Sequence, residues 1–287
     1  MEIQGAKIVN KVALNENERL QLTPTYPGFL RKMAYFKVNQ LMFEQRNGRS
    51  VFDFAVAHIK RANRKKKYNE WVNRGRIAAK SLGISVPEAL PEGALNEVFG
   101  DRIYEASDFT PCKEDTVVDV GAQYGDYSVI CSMLYGVKAV HSFEPIKTNV
   151  SLFREFVNLN KIENIKIYEA ALSDTSASVE MNFDGDMMTT SGKGSVSQVT
   201  EFKRLDDLNL NPDFLKIDVE GFEINVLQGA FKTITENMPK IIMEVHSKKL
   251  KQYTLDLLSQ LGYKVAHSGK YPFFNGYIQN LFLEPTR

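Results

Sequence analysis

The sequence predicts an α/β protein: a doubly wound, mainly parallel seven-stranded sheet that ends in an antiparallel hairpin, with a helical N-terminal extension. Three observations lead to this prediction. After about residue 95, short apolar runs alternate with amphipathic segments, as in sheets covered by helices on both faces. The run from Val117 to Val120 continues directly into a turn bounded by Gly121 and Gly125. The last two apolar runs have no helical segment between them, so the final strand is expected to be antiparallel.

The N-terminal extension is expected to be helical, because apolar residues recur at helical spacing over residues 28–45 and 51–82. In the segment Pro87–Gly93, two prolines remove amide donors and disfavour helix. A domain boundary is therefore expected near residue 95. Residues 1–95 would form a basic helical region for substrate selection or partner binding, and residues 96–287 would form the sheet domain that binds the cofactor.

The sheet domain contains seven predicted strands and four predicted helices. The strands are expected at 116–120, 138–143, 165–169, 213–218, 239–244, 262–267 and 277–283. The helices are expected near 125–135, 147–160, 222–236 and 248–261. Two further edge strands, at 179–183 and 199–204, flank a segment rich in glycine and hydroxyl residues at 184–195. That segment is interpreted either as a lid over the site or as a solvent loop.

Composition and charge restrict the class of protein. A content of 43% hydrophobic and 25% charged residues is typical of a globular chain. No apolar run approaches the roughly 20 residues of a membrane span, and the N-terminus lacks a signal-peptide pattern, so a cytoplasmic location is expected. Cys112 and Cys131 have neither metal-site nor disulfide spacing and are interpreted as structural thiols.

The net charge of +1 conceals an asymmetry along the chain. Residues 1–80 contain 17 Lys and Arg against six Asp and Glu, whereas the remaining residues contain 19 against 29. The basic residues concentrate at 58–67. This segment is interpreted either as a solvated helix face or as a site for phosphates, nucleic acid, anionic lipid or an anionic substrate.

The glycine turn favours one cofactor over another. A dinucleotide site needs G-x-G-x-x-G, so that a pyrophosphate can lie against a helix N-terminus, and here the middle glycine is missing. Asp119 and Asp126 flank the turn; two carboxylates would repel a pyrophosphate but suit an ammonium and a sulfonium. Glu144 follows Gly121 by about 20 residues, where a second strand presents a carboxylate to a ribose diol. Together these features predict S-adenosylmethionine.

Six short blocks occur in order between about residue 115 and residue 246. They are Asp119–Tyr127 (DVGAQYGDY), Phe143–Pro145 (FEP), Ala170–Asp174 (AALSD), Leu205–Asp207 (LDD), Lys216–Glu223 (KIDVEGFE) and Glu244–His246 (EVH). Through these blocks the chain resembles the FkbM family of S-adenosylmethionine-dependent methyltransferases, and KIDVEG is the most distinctive of them. Gln123 stands where many members have asparagine, a change that keeps the amide. The resemblance implies the Rossmann-like fold of the class I methyltransferases.

The resemblance also implies where the methyl donor binds, in a crevice above the first two strands. Gly121 and Gly125 would line its methionine portion, Glu144 would hold the ribose, and Ala171 and Leu172 would meet the adenine. The alternative is that the glycines serve only a tight turn and Glu144 caps a helix. The expected cofactor-binding residues are Asp119, Gly121, Ala122, Gln123, Gly125, Asp126, Tyr127, Glu144, Pro145, Ala171, Leu172 and Asp218.

Four polar residues follow the next two strands and are candidates for chemistry. Asp218 and Glu220 can both face the crevice only if the chain turns at Gly221; alternatively, Asp218 holds a cofactor amino group and Glu220 caps the following helix. Glu244 and His246 are expected one strand over, where the imidazole would accept a proton from a hydroxyl, or both could point at a helix instead. The expected catalytic residues are His246, Glu220 and Glu244. The alternative that these four residues hold a divalent cation stays open, but no metal is the prediction, because hard-cation sites rarely use histidine.

The predicted activity is S-adenosylmethionine-dependent O-methylation of a saccharide, a glycan or a small alcohol, with an anionic acceptor such as a uronate suited to the basic region. Positioning of the acceptor would supply roughly 7 to 11 kcal/mol, and a base about 10² to 10⁴ in rate. Three alternatives remain. They are an RNA methyltransferase that holds phosphates with residues 58–67, a noncatalytic module with a degraded pocket, and an NAD-dependent enzyme. The sequence makes no prediction of the oligomeric state.

Overall fold

The computed structural model describes residues 73–106, 109–184, 187–189, 196–270 and 279–286. In these ranges the helices are α1 (Arg74–Ser81), α2 (Glu92–Leu95), α3 (Asp126–Ile130), α4 (Lys147–Leu159), α5 (Glu223–Gly229), α6 (Phe231–Asn237) and α7 (Lys248–Gln260). The strands are β1 (Thr116–Val120), β2 (Ala139–Phe143), β3 (Ile165–Tyr168), β4 (Ala171–Leu172), β5 (Ala177–Asp184), β6 (Met187–Thr189), β7 (Val196–Lys203), β8 (Phe214–Ile217), β9 (Lys240–Val245), β10 (Tyr263–Lys270) and β11 (Gln279–Pro285). The basic segment at 58–67 and the predicted helices up to residue 72 lie outside the described residues.

Seven strands form the main sheet in the order β10-β11-β9-β8-β1-β2-β3. β1 pairs in parallel with β2 and β8, and the parallel pairing continues to β3 on one side and β9 on the other. β11 is antiparallel to both of its neighbours, β9 and β10. The predicted fold class is therefore confirmed, including the antiparallel final strand.

The apolar core has two halves, one on each face of this sheet. Along β1, Val117 contacts the cluster that contains α1 to α3, whereas Val118 and Val120 contact the cluster that contains α5 to α7. This alternation follows from the period of two in a strand. Residues on both sides of position 95, among them Leu90 and Phe99, share the first cluster with Val117. The expected boundary near residue 95 thus falls within a continuous core, and the division into two domains stays a prediction.

The predicted helices differ from the observed ones in two places. The segment predicted near 222–236 is two helices, α5 and α6, because Ala230 between them leaves helical geometry at φ −113° and ψ 9°. The segment predicted near 125–135 is an α-helix to Ile130 and continues as a π-helix over Cys131–Tyr135. Neither change moves the strand ends at which the predicted site residues lie.

A second, four-stranded sheet lies between β3 and β8 in the chain, in the order β4-β7-β5-β6. Its pair β5 and β7 is antiparallel and matches the two predicted edge strands. Ala171 and Leu172 form β4 and pair with β7, so they belong to this sheet and not to the end of the third strand, which stops at Tyr168. Within the predicted lid segment, residues 187–189 are strand β6, and residues 185–186 and 190–195 lie outside the described ranges.

The sequence predicts structural thiols and no membrane span, and the structure bears on both predictions. Cys131 is buried and Cys112 is exposed, and both are free thiols. In the part of the chain that the structure describes, no helix combines the length and the apolar character that a membrane crossing requires.

A glycine pair separates the effect of backbone conformation from that of close packing. Gly121 has φ +74°, and a Cβ added there would lie 1.8 Å from the carbonyl oxygen of Asp218; Gly136 has φ +64°, and a Cβ there would meet nothing within 4 Å. We predict that Gly136→Ala lowers the free energy of unfolding by about 1 kcal/mol, and Gly121→Ala by roughly 3 kcal/mol or more, because the clash adds to the left-handed conformation. Urea denaturation measures both, and equal losses would contradict the prediction.

Candidate functional site

The glycine turn after β1 is shaped by packing against the end of β8 and against α4. Gly121, Gln123 and Gly125 all have positive φ, of 74°, 50° and 78°. A Cβ at Gly125 would lie 1.9 Å from the ring of Phe153 on α4, just as one at Gly121 would strike the chain after β8. Both glycines are therefore required by close approach of neighbouring elements, which supports the interpretation of a tight turn and places it against the end of β8 and against α4.

Glu144, the first residue after β2, fixes this turn from the side. Its Oε2 accepts from the amide of Gln123 at 2.9 Å, and its Oε1 accepts from the amide of Ile146 at 2.9 Å and from Asn149 at 3.2 Å. Glu144 is only 4% exposed. Burial raises the pKa of Glu144 to about 7, although the three N–H donors favour the ionised form and lower it. The carboxylate holds both the chain that enters α4 and the turn at the edge of β1.

Asp119 and Lys216 form a buried ion pair beneath the turn. The two residues are neighbours in the register of β1 and β8, and their charged groups are 3.3 Å apart. Ser128 donates to the other Asp119 oxygen at 2.6 Å, and Lys216 donates to the Gly121 carbonyl at 2.9 Å. Asp119 has no exposed surface. The expectation that Asp119 faces a ligand is corrected accordingly: it supports the turn from below, because its carboxylate is engaged by the lysine and the serine.

Most other residues expected to bind the cofactor also have little exposed surface. Asp126 opens α3 and accepts from the amide of Tyr127 at 3.0 Å, and burial raises its pKa to about 7. The ring of Tyr127 is buried against Tyr104, with centroids 5.3 Å apart. The residues with partial exposure at this edge are Gly121, Gln123, Pro145 and Asp218, whereas Ala122, Asp126, Tyr127, Ala171 and Leu172 are buried.

Asp218 follows β8 directly and lies beside the Lys216 ammonium, at 3.9 Å. The hydroxyl of Tyr104 donates to it at 2.7 Å, and the Lys216 ammonium lies 5.1 Å from the centre of the same tyrosine ring. The pKa of Asp218 is raised to about 7, first by burial and then by the neighbouring Glu244, against the lowering effect of Lys216. Asp218 is thus the point where the β1 side of the crevice meets the β9 side.

His246, just after β9, is enclosed by three carboxylates. Its Nδ1 lies 3.2 Å from Glu223 Oε1, and its Nε2 lies 2.9 Å from Glu244 Oε1 and 3.3 Å from Glu220 Oε2. The imidazole has no exposed surface. Burial lowers the pKa of His246, but the three carboxylates more than offset this and raise it well above the ordinary value. Glu220, Glu244 and His246, which were predicted as a group, therefore lie together in the structure. The imidazole ring itself does not reach the surface.

Glu220 is the most exposed carboxylate around this imidazole, with 30% of its side chain accessible. Its φ is +51°, a conformation that costs a non-glycine residue about 1 to 2 kcal/mol. Helix α5 begins at Glu223 with no side-chain cap, so the interpretation of Glu220 as a helix cap is wrong. Glu223 accepts from the amide of Gly221 at 3.1 Å instead, which holds the strained turn in place.

Three contributing residues were not among the predicted site residues. Lys216 had a visible signal, since a lysine in the middle of the buried strand Phe214–Ile217 is costly unless it is paired. Glu223 had a weaker signal, as the last member of the KIDVEGFE block. Tyr104 had none, because it reaches Asp218 across 114 positions of sequence.

Comparison with known proteins gives matches of one kind. The chain matches the family model described as Methyltransferase FkbM domain over residues 119–265, just over half of its length. It is 22% identical to "Methyltransferase 1" of Beauveria bassiana (strain ARSEF 2860), over 59% of this chain and 80% of that protein. It is 17% identical to a crystal structure of methyltransferase FkbM from Methylobacillus flagellatus KT, with a TM-score of 0.47, over 74% of this chain and 59% of that chain. It is 15% identical to ribosomal protein L11 methylase from Lactobacillus delbrueckii subsp. bulgaricus, with a TM-score of 0.42, over 61% of this chain and 72% of that chain. The chain thus spans less than two thirds of the length of the Methylobacillus flagellatus protein.

Loss of the buried Asp119–Lys216 pair should lower the free energy of unfolding more than loss of an exposed ion pair does. Lys216→Met would leave the buried Asp119 charge without its ammonium, and we expect the free energy of unfolding to fall by roughly 3 to 5 kcal/mol. The double change Lys216→Met with Asp119→Asn should restore part of this loss. In contrast, Lys264 is 58% exposed in its pair with Glu284, so Lys264→Met should cost no more than about 1 kcal/mol. Chemical denaturation of the four proteins measures these values; a loss for Lys216→Met no larger than that for Lys264→Met would contradict the expectation.

Proposed function

The chain belongs to the Methyltransferase FkbM domain family, and we propose that it is an S-adenosylmethionine-dependent methyltransferase that acts on a hydroxyl oxygen. One observation carries this proposal. The family match contains the glycine turn, Glu144, Asp218 and His246, and these groups lie at the carboxyl ends of the neighbouring strands β1, β2, β8 and β9. In open α/β sheets, ligands bind in the crevice outside such strand ends.

The cofactor would be held at the β1 and β2 side of this crevice. S-adenosylmethionine supplies an electrophilic methyl group on a sulfonium. Gly121 and Gln123 are partly exposed there, and Glu144 retains acceptor capacity for a ribose diol beyond its three N–H donors. Asp218, at the border of the two sides, is a carboxylate suited to an ammonium group. The acidic character of this edge favours a cationic ligand over a pyrophosphate.

The acceptor hydroxyl would be deprotonated on the β8 and β9 side. The sequence predicts this role for His246, but the imidazole is fully buried and both of its nitrogens face carboxylates. Glu220 is the member of the predicted catalytic set with accessible surface. We therefore propose that Glu220 accepts the proton. His246 and Glu244 would line the bottom of the site behind Glu220. Positioning supplies most of the rate in such a displacement, and the base adds to it.

The class of acceptor is the finer part of the proposal. A saccharide, a glycan or a small alcohol carries the hydroxyl that this base would deprotonate, and an anionic acceptor would suit the basic residues at 58–67. RNA ribose also carries a hydroxyl, and methylation of RNA in place of these acceptors would reverse the acceptor assignment while keeping the methyltransferase. A cytoplasmic location goes with the proposed function and is proposed with it.

Ligand binding tests the cofactor, and pH tests the role of Glu144. We expect calorimetry to show binding of S-adenosylmethionine and S-adenosylhomocysteine but not of NAD. For 5′-methylthioadenosine, which has the ribose but no amino-acid group, affinity should rise about fivefold between pH 6 and pH 8. The reason is that Glu144, with a pKa of about 7, is protonated at the lower pH and accepts charge-assisted hydrogen bonds only above it.

The control for this experiment is Glu144→Gln, which keeps the shape of the side chain and cannot ionise. Its affinity for 5′-methylthioadenosine should be lower at pH 8 and should change less with pH. Because the pKa of Asp126 is also raised to about 7, the informative quantity is the difference between the two proteins. An identical pH profile in both, or binding of NAD without binding of either sulfur ligand, would overturn the cofactor assignment.

Turnover tests the assignment of the base. With an acceptor identified from a panel of saccharides, small alcohols and RNA, we expect Glu220→Gln to lower kcat by about 10² to 10⁴. The affinity for S-adenosylhomocysteine should stay within about twofold, since Glu220 lies on the other side of the crevice. Glu169→Gln, at an exposed ion pair with Arg154, is the matched control and should keep full activity. Full turnover of Glu220→Gln would remove Glu220 from this role.

A further inference from the structure

We propose that Asp218, Glu244 and His246 bind a divalent transition-metal ion at the floor of this site. The three residues come from two neighbouring strand ends, after β8 and after β9. One ligand atom from each lies within 4.8 Å of the other two. Ligands about 2.1 Å from one ion stand about 3.0 Å apart at right angles and about 4.2 Å apart on opposite sides. The observed set is close to this range, and a small carboxylate movement would complete it.

The orientation of His246 is the second and independent observation. Its Nε2 is buried and has no hydrogen bond of ordinary geometry, even though oxygens of Glu244 and Glu220 lie 2.9 and 3.3 Å away. Short approaches without hydrogen-bond geometry are expected when a nitrogen and its neighbouring oxygens are directed at a common third point. Glu220 Oε2 is likewise buried without a hydrogen bond. A cation at that point would satisfy both atoms at once.

The other ring nitrogen of His246 is held as metal ligands usually are. Nδ1 lies 3.2 Å from Glu223 Oε1, so an Nδ1 proton would be donated to that carboxylate and the lone pair would be left on Nε2. The same Glu223 oxygen accepts from the amide of Gly221 at 3.1 Å, which fixes its position. A carboxylate behind the histidine orients the ring and raises its basicity as a ligand.

The charges at this point also favour a cation. Glu220, Glu223 and Glu244 contact one imidazole, and Asp218 offers a further carboxylate within 4.8 Å of it. The nearby Lys216 ammonium, 3.9 Å from Asp218, is shared with Asp119 at 3.3 Å. Burying several carboxylates together is costly unless protons or cations compensate them. A divalent ion would supply the compensation without a proton.

The donor set selects the class of metal. One imidazole nitrogen with two carboxylates suits Mn²⁺, Fe²⁺ or Zn²⁺, whereas Mg²⁺ and Ca²⁺ prefer oxygen alone. The use of this ion rests on the proposed function: a coordinated hydroxyl has a lowered pKa, and its proton would pass to Glu220 beside it. This differs from the expectation, drawn from the sequence, that the site uses no metal. Binding of the ion does not depend on that use.

Titration of the full-length, chelator-treated protein with MnCl₂, ZnCl₂ and MgCl₂ in separate calorimetric experiments tests the site. We expect about one Mn²⁺ or Zn²⁺ per chain, bound at least tenfold more tightly than Mg²⁺. Asp218→Asn and His246→Gln should weaken Mn²⁺ binding by more than tenfold, and Glu223→Gln by roughly 10 to 100-fold, since it orients the ligand. Asp256→Asn, an exposed carboxylate on α7, is the control and should bind Mn²⁺ as the parent does.

Pulsed EPR of the Mn²⁺ form should show coupling to an imidazole nitrogen, which Glu223→Gln keeps and His246→Gln loses. Thermal unfolding of each variant identifies any that fail to fold, and the isosteric Asp218→Asn provides a second test if His246→Gln does.

S-adenosylhomocysteine binding, measured on the metal-free protein, separates the two proposals. Nucleoside binding without metal binding would overturn this inference and leave the methyltransferase intact; metal binding without nucleoside binding would do the reverse. Mg²⁺ binding as tight as Mn²⁺ would also overturn it.

Discussion

One buried ammonium, that of Lys216, joins the strand ends on which the candidate site is built. It reaches the carboxylate of Asp119, the carbonyl of Gly121 and the carboxylate of Asp218 at 3.3, 2.9 and 3.9 Å. A lysine can remain charged in such a place only when its partners offset the loss of water. The glycine turn, the end of β8 and the first residue of the crevice are therefore fixed relative to one another by a single side chain. This explains why the turn approaches Asp218 so closely that Gly121 has no room for a Cβ.

This arrangement divides the carboxylates into two groups with different tasks. Asp119 and Glu144 are held by an ion pair or by N–H and O–H donors of the protein and stabilise the turn, in one case below it and in the other beside it. Glu220, Glu244 and Asp218 crowd around His246, where their mutual repulsion is compensated less completely. Affinity for a cationic methyl donor and for a metal ion would both follow from this second group. The first group makes the framework rigid, so that the carboxylates of the second group keep their positions despite their mutual repulsion.

Sequence patterns predicted the sheet well because central strands such as β1, β2 and β8 are short, largely apolar runs followed directly by a glycine or an acid. The antiparallel β11 followed from the lack of any helical segment between the last two runs. The short strand β4 (Ala171–Leu172) was not predicted, because two residues show no period and their partners Phe202 and Lys203 lie 31 positions further along the chain. Tyr104 was missed for a related reason, since its hydrogen bond to Asp218 depends on tertiary packing and not on local pattern. The role of Glu220 needed the observed backbone, since its left-handed conformation has no counterpart in the residue type.

That left-handed turn shows how strain and function are connected here. Glu220 with φ +51° and Gly221 with φ +109° reverse the chain immediately after β8, so that the Glu220 carboxylate points back toward His246 instead of into helix α5. The cost of this conformation is offset locally, because Glu223 accepts both the amide of Gly221 and the Nδ1 side of the imidazole. The same acceptor thus keeps the turn closed and sets the orientation of the histidine. Glu223 therefore couples the position of the accessible Glu220 carboxylate to that of the buried His246 ring. A change in either would be transmitted to the other through Glu223.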